Sequence, residues 1–311
     1  MSHSALDTAD QARLTDWLTR TREEAPQLAP ILDSFGAVLA ERARLRADLA
    51  GQTPPVPPVP APDKERLLSG VPVLLDADLS GLTPFLGQSA ARLLPAMAAA
   101  FPALATDMER MAAALAKDAA VLGGGLEALL RGDAGALEQM AQGMEVAEPV
   151  LRFALAQIVR PVLECAQQDV AQAVRDAKWL HGRCPCCGSG PDLALYIAGE
   201  VEQSEFLKNH GGQRWLRCSL CGMSWRFKRI ACPECGTEEP NELEFFTVEG
   251  RDHERAHACK KCKRYLVGMD VRELVDVPDL DVAVLAMLPL DILVQDKGYA
   301  PVAATPWNTL G

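Results

Sequence analysis

Apolar residues recur at helical spacing through Leu28, Ile31, Leu32, Phe35, Val38 and Leu39, which predicts helix over residues 4–50. Glu41, Arg42, Arg44 and Arg46 supply a polar face, and Gly51 offers a stop. The stretch TPPVPPVPAP at 53–62 can be neither helix nor central strand, because Pro has no N–H and a fixed φ. It predicts an extended polyproline-type tether between helices, in preference to a ligand for an SH3-like domain. The helical pattern resumes from Thr83 to Trp179, with Thr83 as N-cap and Pro84 at the first helical position. Gly123, Gly124 and Gly125 are expected to break one helix and let the next reorient. Gly132 and Asp133 mark a further turn, and Pro161 predicts a kink in a last long helix over 146–179. Met97, Met108, Met111, Met140 and Met144 read as core at this spacing rather than as a soft-metal surface, and Cys165 as a small buried apolar residue.

At His181 the pattern changes to short strands between turns: Leu193–Ala198, Arg214–Arg217, Ser224–Ile230 and Leu243–Val248. After Asp276 a helical apolar pattern returns over Val282–Leu293, interrupted by Pro289. The expected architecture is multidomain. An all-α N-terminal domain spans 1–180, two small β modules of ribbon type span 181–230 and 231–275, and a short helical C-terminal segment and tail span 276–311.

The chain of 311 residues is 49% hydrophobic, enough for a sizeable core, and carries a formal net charge of -11. The charge is uneven. Residues 1–180 hold 16 Lys and Arg against 23 Asp and Glu, residues 181–275 hold 14 against 14, and the remainder holds one against five. An acidic chain is repelled on average by nucleic acid and by anionic membranes. The start, MSHSALDTADQARL, lacks a basic region followed by an apolar run, and no stretch approaches the roughly 18 apolar residues of a membrane span. The expectation is a cytoplasmic protein without a span, in which ten cysteines stay reduced and favour metal over disulfides.

Eight of those cysteines form Cys-x-x-Cys pairs: Cys184/Cys187, Cys218/Cys221, Cys232/Cys235 and Cys259/Cys262. Each pair sets two sulfurs on one tight turn, and two facing turns make a tetrahedral sulfur cage. The first and third pairs read CPCCG and CPECG, whereas the second and fourth, CSLC and CKKC, lack Pro. An aromatic, Trp225 or Tyr265, follows each of the latter. This alternating repeat makes sequential pairing the natural solution, with Cys184, Cys187, Cys218 and Cys221 in one site and Cys232, Cys235, Cys259 and Cys262 in the other. An interleaved pairing is the alternative. Four thiolates suit zinc or a single iron. Lys228, Arg229, Lys260, Lys261, Lys263 and Arg264 lie beside the second and fourth pairs and can offset the cage's negative charge.

His181, His210, His253 and His257 lie near the pairs, but eight cysteines already fill two four-ligand sites. Cys186 reads as incidental in preference to a thiol activated by a neighbouring metal. No nucleophile elbow, phosphate-binding loop, HExxH or dinucleotide fingerprint occurs, so no catalytic residue is assigned. An ion held by four thiolates has no open position for water. A zinc-ribbon nucleic-acid adaptor is the alternative class, against which the zero net charge of the cysteine region argues.

An Ala/Leu-rich helical half, then RCPCCGSGP, LRCSLCGMSW, CPECG and CKKCKRYL, then LDILVQDKGY, resembles the bacterial formate dehydrogenase accessory protein (FdhE) family along nearly the whole chain. The resemblance implies a helical domain joined to two rubredoxin-like modules. It implies two iron ions on the eight paired cysteines, with zinc as the alternative. It also implies a cytoplasmic maturation role toward the catalytic subunit of respiratory formate dehydrogenase, without dehydrogenase activity of its own. Self-association is left open.

Overall fold

The computed structural model describes residues 11–167, 170–198 and 212–309. Its first half is helical: α1 (Gln11–Glu24), α2 (Ala29–Gly51), α3 (Lys64–Leu68), α4 (Thr83–Ala100), α5 (Ala105–Lys117), α6 (Val121–Arg131), α7 (Ala134–Met144), α8 (Glu148–Ala166) and α9 (Val170–Asp176). The first expected helix is divided at Pro26, which opens a short 3-10 turn over Pro26–Leu28, and Gly51 is the last helical residue. Thr83 is itself helical, one position inside its expected cap.

Two expectations fail here. Gly123, Gly124 and Gly125 do not break a helix; they lie within α6. A Cβ on Gly125 would sit 3.2 Å from Leu155 and 3.3 Å from Met140, so this glycine lets α6 approach α8 and α7 closely. Nor is 146–179 one helix: α8 ends at Ala166, and α9 follows it separately. Pro161 stays within α8, packed in the core. Gly132 closes α6 in the left-handed conformation, and Asp133 caps α7 by accepting from the Ala136 N–H. Met97, Met108, Met111 and Met144 are buried, as core packing requires. Cys165 is only half-buried, its thiol 3.6 Å from the Arg46 carbonyl.

The Pro-rich stretch is extended and lies on the helices. Val56 and Val59 are buried, and the Val59 N–H donates to the Ala166 carbonyl at the end of α8.

Seven strands follow among the described residues: β1 (Pro191–Ile197), β2 (Gln213–Cys218), β3 (Ser224–Phe227), β4 (Leu243–Phe246), β5 (Glu254–Cys259), β6 (Arg264–Asp270) and β7 (Ala300–Pro301). They form one sheet in the order β3-β2-β1-β6-β5-β4, with β7 also paired to β6. Strands β1–β3 and β4–β6 are two antiparallel ribbon units, joined where β1 runs parallel to β6. At that seam Gly268 faces Ala194, and a Cβ on Gly268 would come 3.0 Å from the Ala194 carbonyl oxygen. β5 and β6 were not legible in advance. β6 is buried on both faces and so lacks alternation, while β5 mixes charged and small residues.

The sheet is covered on both sides. Ala194, Tyr196, Leu216 and Leu266 pack into the same core as α4 and α8. Alternate residues, Leu193, Leu195, Trp215 and Val267, pack with the C-terminal helices α10 (Leu280–Ala286) and α11 (Leu288–Gln295). Pro289 sits in the first turn of α11, which explains the break between the two helices. The other side of α10, through Val282 and Leu285, packs on Leu14, Leu32 and Leu39 of α1 and α2. Among the described residues no helix is long and apolar enough to cross a membrane.

Candidate metal centres

All four Cys-x-x-Cys turns share one backbone design. The N–H four residues after the first cysteine donates back to that cysteine's carbonyl: Gly188 to Cys184, Gly222 to Cys218, Gly236 to Cys232 and Lys263 to Cys259. Each donor residue has a positive φ, between 58° and 79°. Glycine takes this conformation without penalty, and the fourth turn accepts it in a lysine, whose Nζ lies 5.2 Å from the centre of the Tyr299 ring. The turn curls so that the amides of Leu220 and Cys221 point at the sulfur of Cys218, both at 3.4 Å.

The turns face each other in sequence order. The sulfurs of Cys184, Cys187, Cys218 and Cys221 lie within 4.8 Å of one another, and so do those of Cys232, Cys235, Cys259 and Cys262. Cross-turn separations are 3.6 Å for Cys184–Cys221, 3.3 Å for Cys187–Cys218, 3.6 Å for Cys232–Cys262 and 3.7 Å for Cys235–Cys259. A tetrahedron with metal–sulfur bonds of about 2.3 Å has edges of about 3.8 Å. The sulfurs are thus spaced for an ion and far from the roughly 2 Å of a disulfide, and each group could hold a metal ion.

The thiols feel the crowding. Burial, then hydrogen bonding to its three partners, pushes the Cys184 thiol well above its usual range. Burial also pushes Cys221 up, but hydrogen bonds from Cys184, Cys186 and Cys187 outweigh it and bring that thiol down to about 7. Four buried thiols penalise one another's ionisation, and a bound cation removes the penalty, since thiolate is the ligating form.

The two groups differ in surroundings. The first is wholly buried, within the core that α4 and α8 build. Residues 73 and 74, which follow α3, donate to the carbonyls of Pro185 and Cys186, and Gln167 donates to the Cys221 carbonyl at 2.7 Å. In the second group Cys235 is exposed and Cys262 half-buried.

A buried charge cluster, which no motif announced, braces the first group. Asp281 of α10 accepts from Arg42 of α2, Arg160 of α8 and Arg217 of β2. Arg160 also reaches Glu164 at 2.9 Å and the Ser219 carbonyl inside the second turn at 3.3 Å. Burial alone would raise the Asp281 carboxyl, but the three guanidinium groups hold it well below the usual range. The cluster ties the helices, the sheet and the C-terminal segment at one point.

The other candidates are not among the eight clustered sulfurs, although Cys186 lies against the first group. Cys186 is fully buried, and hydrogen bonding to Cys221 followed by burial pushes its thiol well up, which opposes the reactive reading. His257 lies 2.9 Å from the Tyr196 hydroxyl, and the His181 ring meets Trp179 edge to face with centroids 4.7 Å apart. The His253 carbonyl accepts from the Asp270 N–H. His210 lies outside the described residues. Trp225 and Tyr265 are both buried, donating to the His181 carbonyl and to Asp291. Of the basic residues beside the turns, Lys228 pairs with Glu238, Lys260 with Glu244, and Arg264 donates to the Pro301 carbonyl.

No protein-family model matches the chain. It is 31% identical over 158 residues to an FdhE homolog of Aquifex aeolicus, which covers 50% of this chain and 52% of that protein. It is 35% identical over 117 residues to an FdhE homolog of Stutzerimonas stutzeri, covering 37% and 35%, and 28% identical over 127 residues to the FdhE protein of Escherichia coli, covering 40% and 37%. The matched stretch thus spans about half or less of these relatives' lengths. In fold, the chain is similar to the crystal structure of the FdhE protein from Pseudomonas aeruginosa, with a TM-score of 0.61 at 20% identity over 100% of this chain and 98% of that one.

Proposed function

Because the chain belongs to the FdhE family, we propose that it is an accessory factor for the maturation of formate dehydrogenase. In this reading it acts in the cytoplasm by binding the catalytic subunit of that enzyme, and it is not itself a catalyst. Cys184, Cys187, Cys218 and Cys221 ligate one iron, and Cys232, Cys235, Cys259 and Cys262 the other, in rubredoxin-like fashion, with zinc as the alternative. The ions cross-link the turns and, if iron, can carry one electron each. The working division at 1–180, 181–230, 231–275 and 276–311 separates the helical scaffold, the two metal modules and the closing segment.

The observation that carries the reading is the pair of closed four-cysteine groups on one sheet backed by helices. Four thiolates leave an ion no position for water or substrate, so the chemistry available is structural or electron-carrying. Turns fixed in this way present a rigid surface at little entropic cost, which favours recognition of a partner.

The test is genetic and biochemical. Cells lacking the protein should contain formate dehydrogenase subunit that is inactive, and the intact gene should restore activity. A variant with all eight paired cysteines changed to serine should not. Full dehydrogenase activity in cells without the protein would overturn the reading. Full activity with the eight-serine variant would show that the metal sites are dispensable to it. A red protein with a ferric–thiolate spectrum supports iron, and a colourless zinc-containing one supports the alternative.

A further inference from the structure

Where the two ribbon units meet, the sheet carries a cavity of about 240 Å³. Its wall includes Tyr196 of β1, Arg214 of β2, Arg255 of β5 and, at the rim, Arg229, Ile230 and Phe245. Arg214 is 3% exposed. Its Nη1 donates to the Ala231 carbonyl at 2.8 Å, but Nε and Nη2 are buried with no hydrogen-bond partner among the described residues. These two nitrogens form the edge of a guanidinium that offers parallel N–H groups, the geometry that grips a carboxylate or phosphate with two bonds. Leaving such donors unmet inside a protein is costly, so native structures seldom do it without a ligand or water to receive them.

The surroundings point the same way. Arg255 spends Nη2 on Asp270 at 3.2 Å, while its Nε is buried and unmet. Arg229 is exposed and has no carboxylate partner among the described residues. Among the described residues, five arginines line the cavity against two carboxylates, Glu244 and Asp270. Both carboxylates are engaged: Asp270 with Arg255 and Arg272, Glu244 with Tyr299 and Lys260. A divalent ion on the four thiolates of the second group would bring two negative charges close by. Even then the positive excess persists, and the Arg214 edge stays unpaired. At the mouth, Ile230 is 58% and Phe245 66% exposed, two of the few large apolar side chains left open to solvent among the described residues.

We propose that this cavity binds an oxyanion, a carboxylate or phosphate group carried on an apolar body, anchored on the Nε/Nη2 edge of Arg214. Arg255 and Arg229 are the supporting donors, and Ile230 and Phe245 take the apolar part. The inference stands on these contacts and does not depend on the maturation role.

The test uses the full-length, metal-replete protein and isothermal titration with three probes: inorganic phosphate, N-acetyl-leucine and its neutral amide, N-acetyl-leucinamide. At least one charged probe should bind, and the amide should bind about tenfold more weakly than N-acetyl-leucine or not at all. Phosphate binding more tightly than N-acetyl-leucine assigns the site to phosphate-bearing molecules, and the reverse order assigns it to a carboxylate such as a chain terminus. Arg214→Lys keeps the charge but loses the fork, and should lower affinity about tenfold with metal content and circular dichroism unchanged. Arg229→Gln, at an exposed position, should weaken binding several-fold and serves if the buried substitution does not fold. Equal binding of acid and amide, no binding of either charged probe at millimolar concentration, or affinity untouched by the substitutions would overturn the proposal.

Discussion

Asp281 and Asp291 lie ten positions apart at opposite extremes of charge stabilisation. Asp281 faces three guanidinium groups and is held ionised. Changing it to Asn leaves Arg42, Arg160 and Arg217 buried with only Glu164 and Asp192 as counter-charges among the described residues. Breaking a buried ionic cluster from one side costs about 3–5 kcal/mol. Asp281→Asn should therefore lower the thermal midpoint sharply, and an unchanged midpoint would show that the cluster contributes little. Asp291 is the reverse case. Burial pushes its carboxyl up to about 7, against an opposing hydrogen bond from Tyr265, and Oδ2 has no partner among the described residues. A folded-state value above the unfolded one, about 3.9, means that the native state holds its proton longer. The associated stability is fully present below about pH 4 and is lost as pH rises through about 7. Asp291→Asn retains an acceptor for Tyr265 and removes the titration. Its unfolding free energy relative to wild type should rise between about pH 4 and 7 and then level off. Denaturant titrations showing a pH-independent difference would contradict this. Neither aspartate was singled out from the sequence, since an isolated carboxylate in an apolar stretch carries no sign of what faces it.

Periodicity located the helical half and the change of grammar near residue 181, because helix and strand repeats are local properties. It erred where meaning depended on a neighbour. Three consecutive glycines read as a break from propensity alone, yet Gly125 faces Leu155 and Met140 across a tight helix contact, which only packing reveals. The distinction is measurable. Gly124 is exposed, and a Cβ there meets nothing within 4 Å, so Gly124→Ala should stabilise by about 1 kcal/mol through helix propensity. Gly125→Ala should fail to stabilise, since the added methyl must displace side chains in a packed core. Equal gains in denaturant midpoint for both would mean that α6 does not need its close approach. Strands β5 and β6 were hidden for a related reason. Alternation appears only when one face of a strand is wet, and β6 lies between two cores.

Across the whole molecule, the two cysteine groups share a local design but not an environment. The first is sealed beneath helices, the stretch around Leu74 and the Asp281 cluster, whereas Cys235 and Cys262 of the second meet solvent. Chelator added to the two-metal protein should therefore remove one equivalent quickly and the other only as the core opens, giving two phases. Serine at Cys235 and Cys262 should abolish the fast phase alone. A single phase for both ions would contradict the difference in burial. The first turns also belong to the same apolar core as α4 and α8, so loss of the first ion should loosen the helices, while loss of the second should spare them. The sequence by itself determined the eight candidate ligands and their turns, because a Cys-x-x-Cys knuckle is written in five consecutive residues. It also determined the order of helical and ribbon segments, because periodicity is local. Only the tertiary structure decided that the ribbons fuse through β1 and β6 into one sheet, that Asp281 gathers three arginines from three elements, and that Arg214 is left with an unpaired edge in a cavity. Each of these joins residues tens to hundreds of positions apart, and their charge, burial and partners exist only once distant segments have packed.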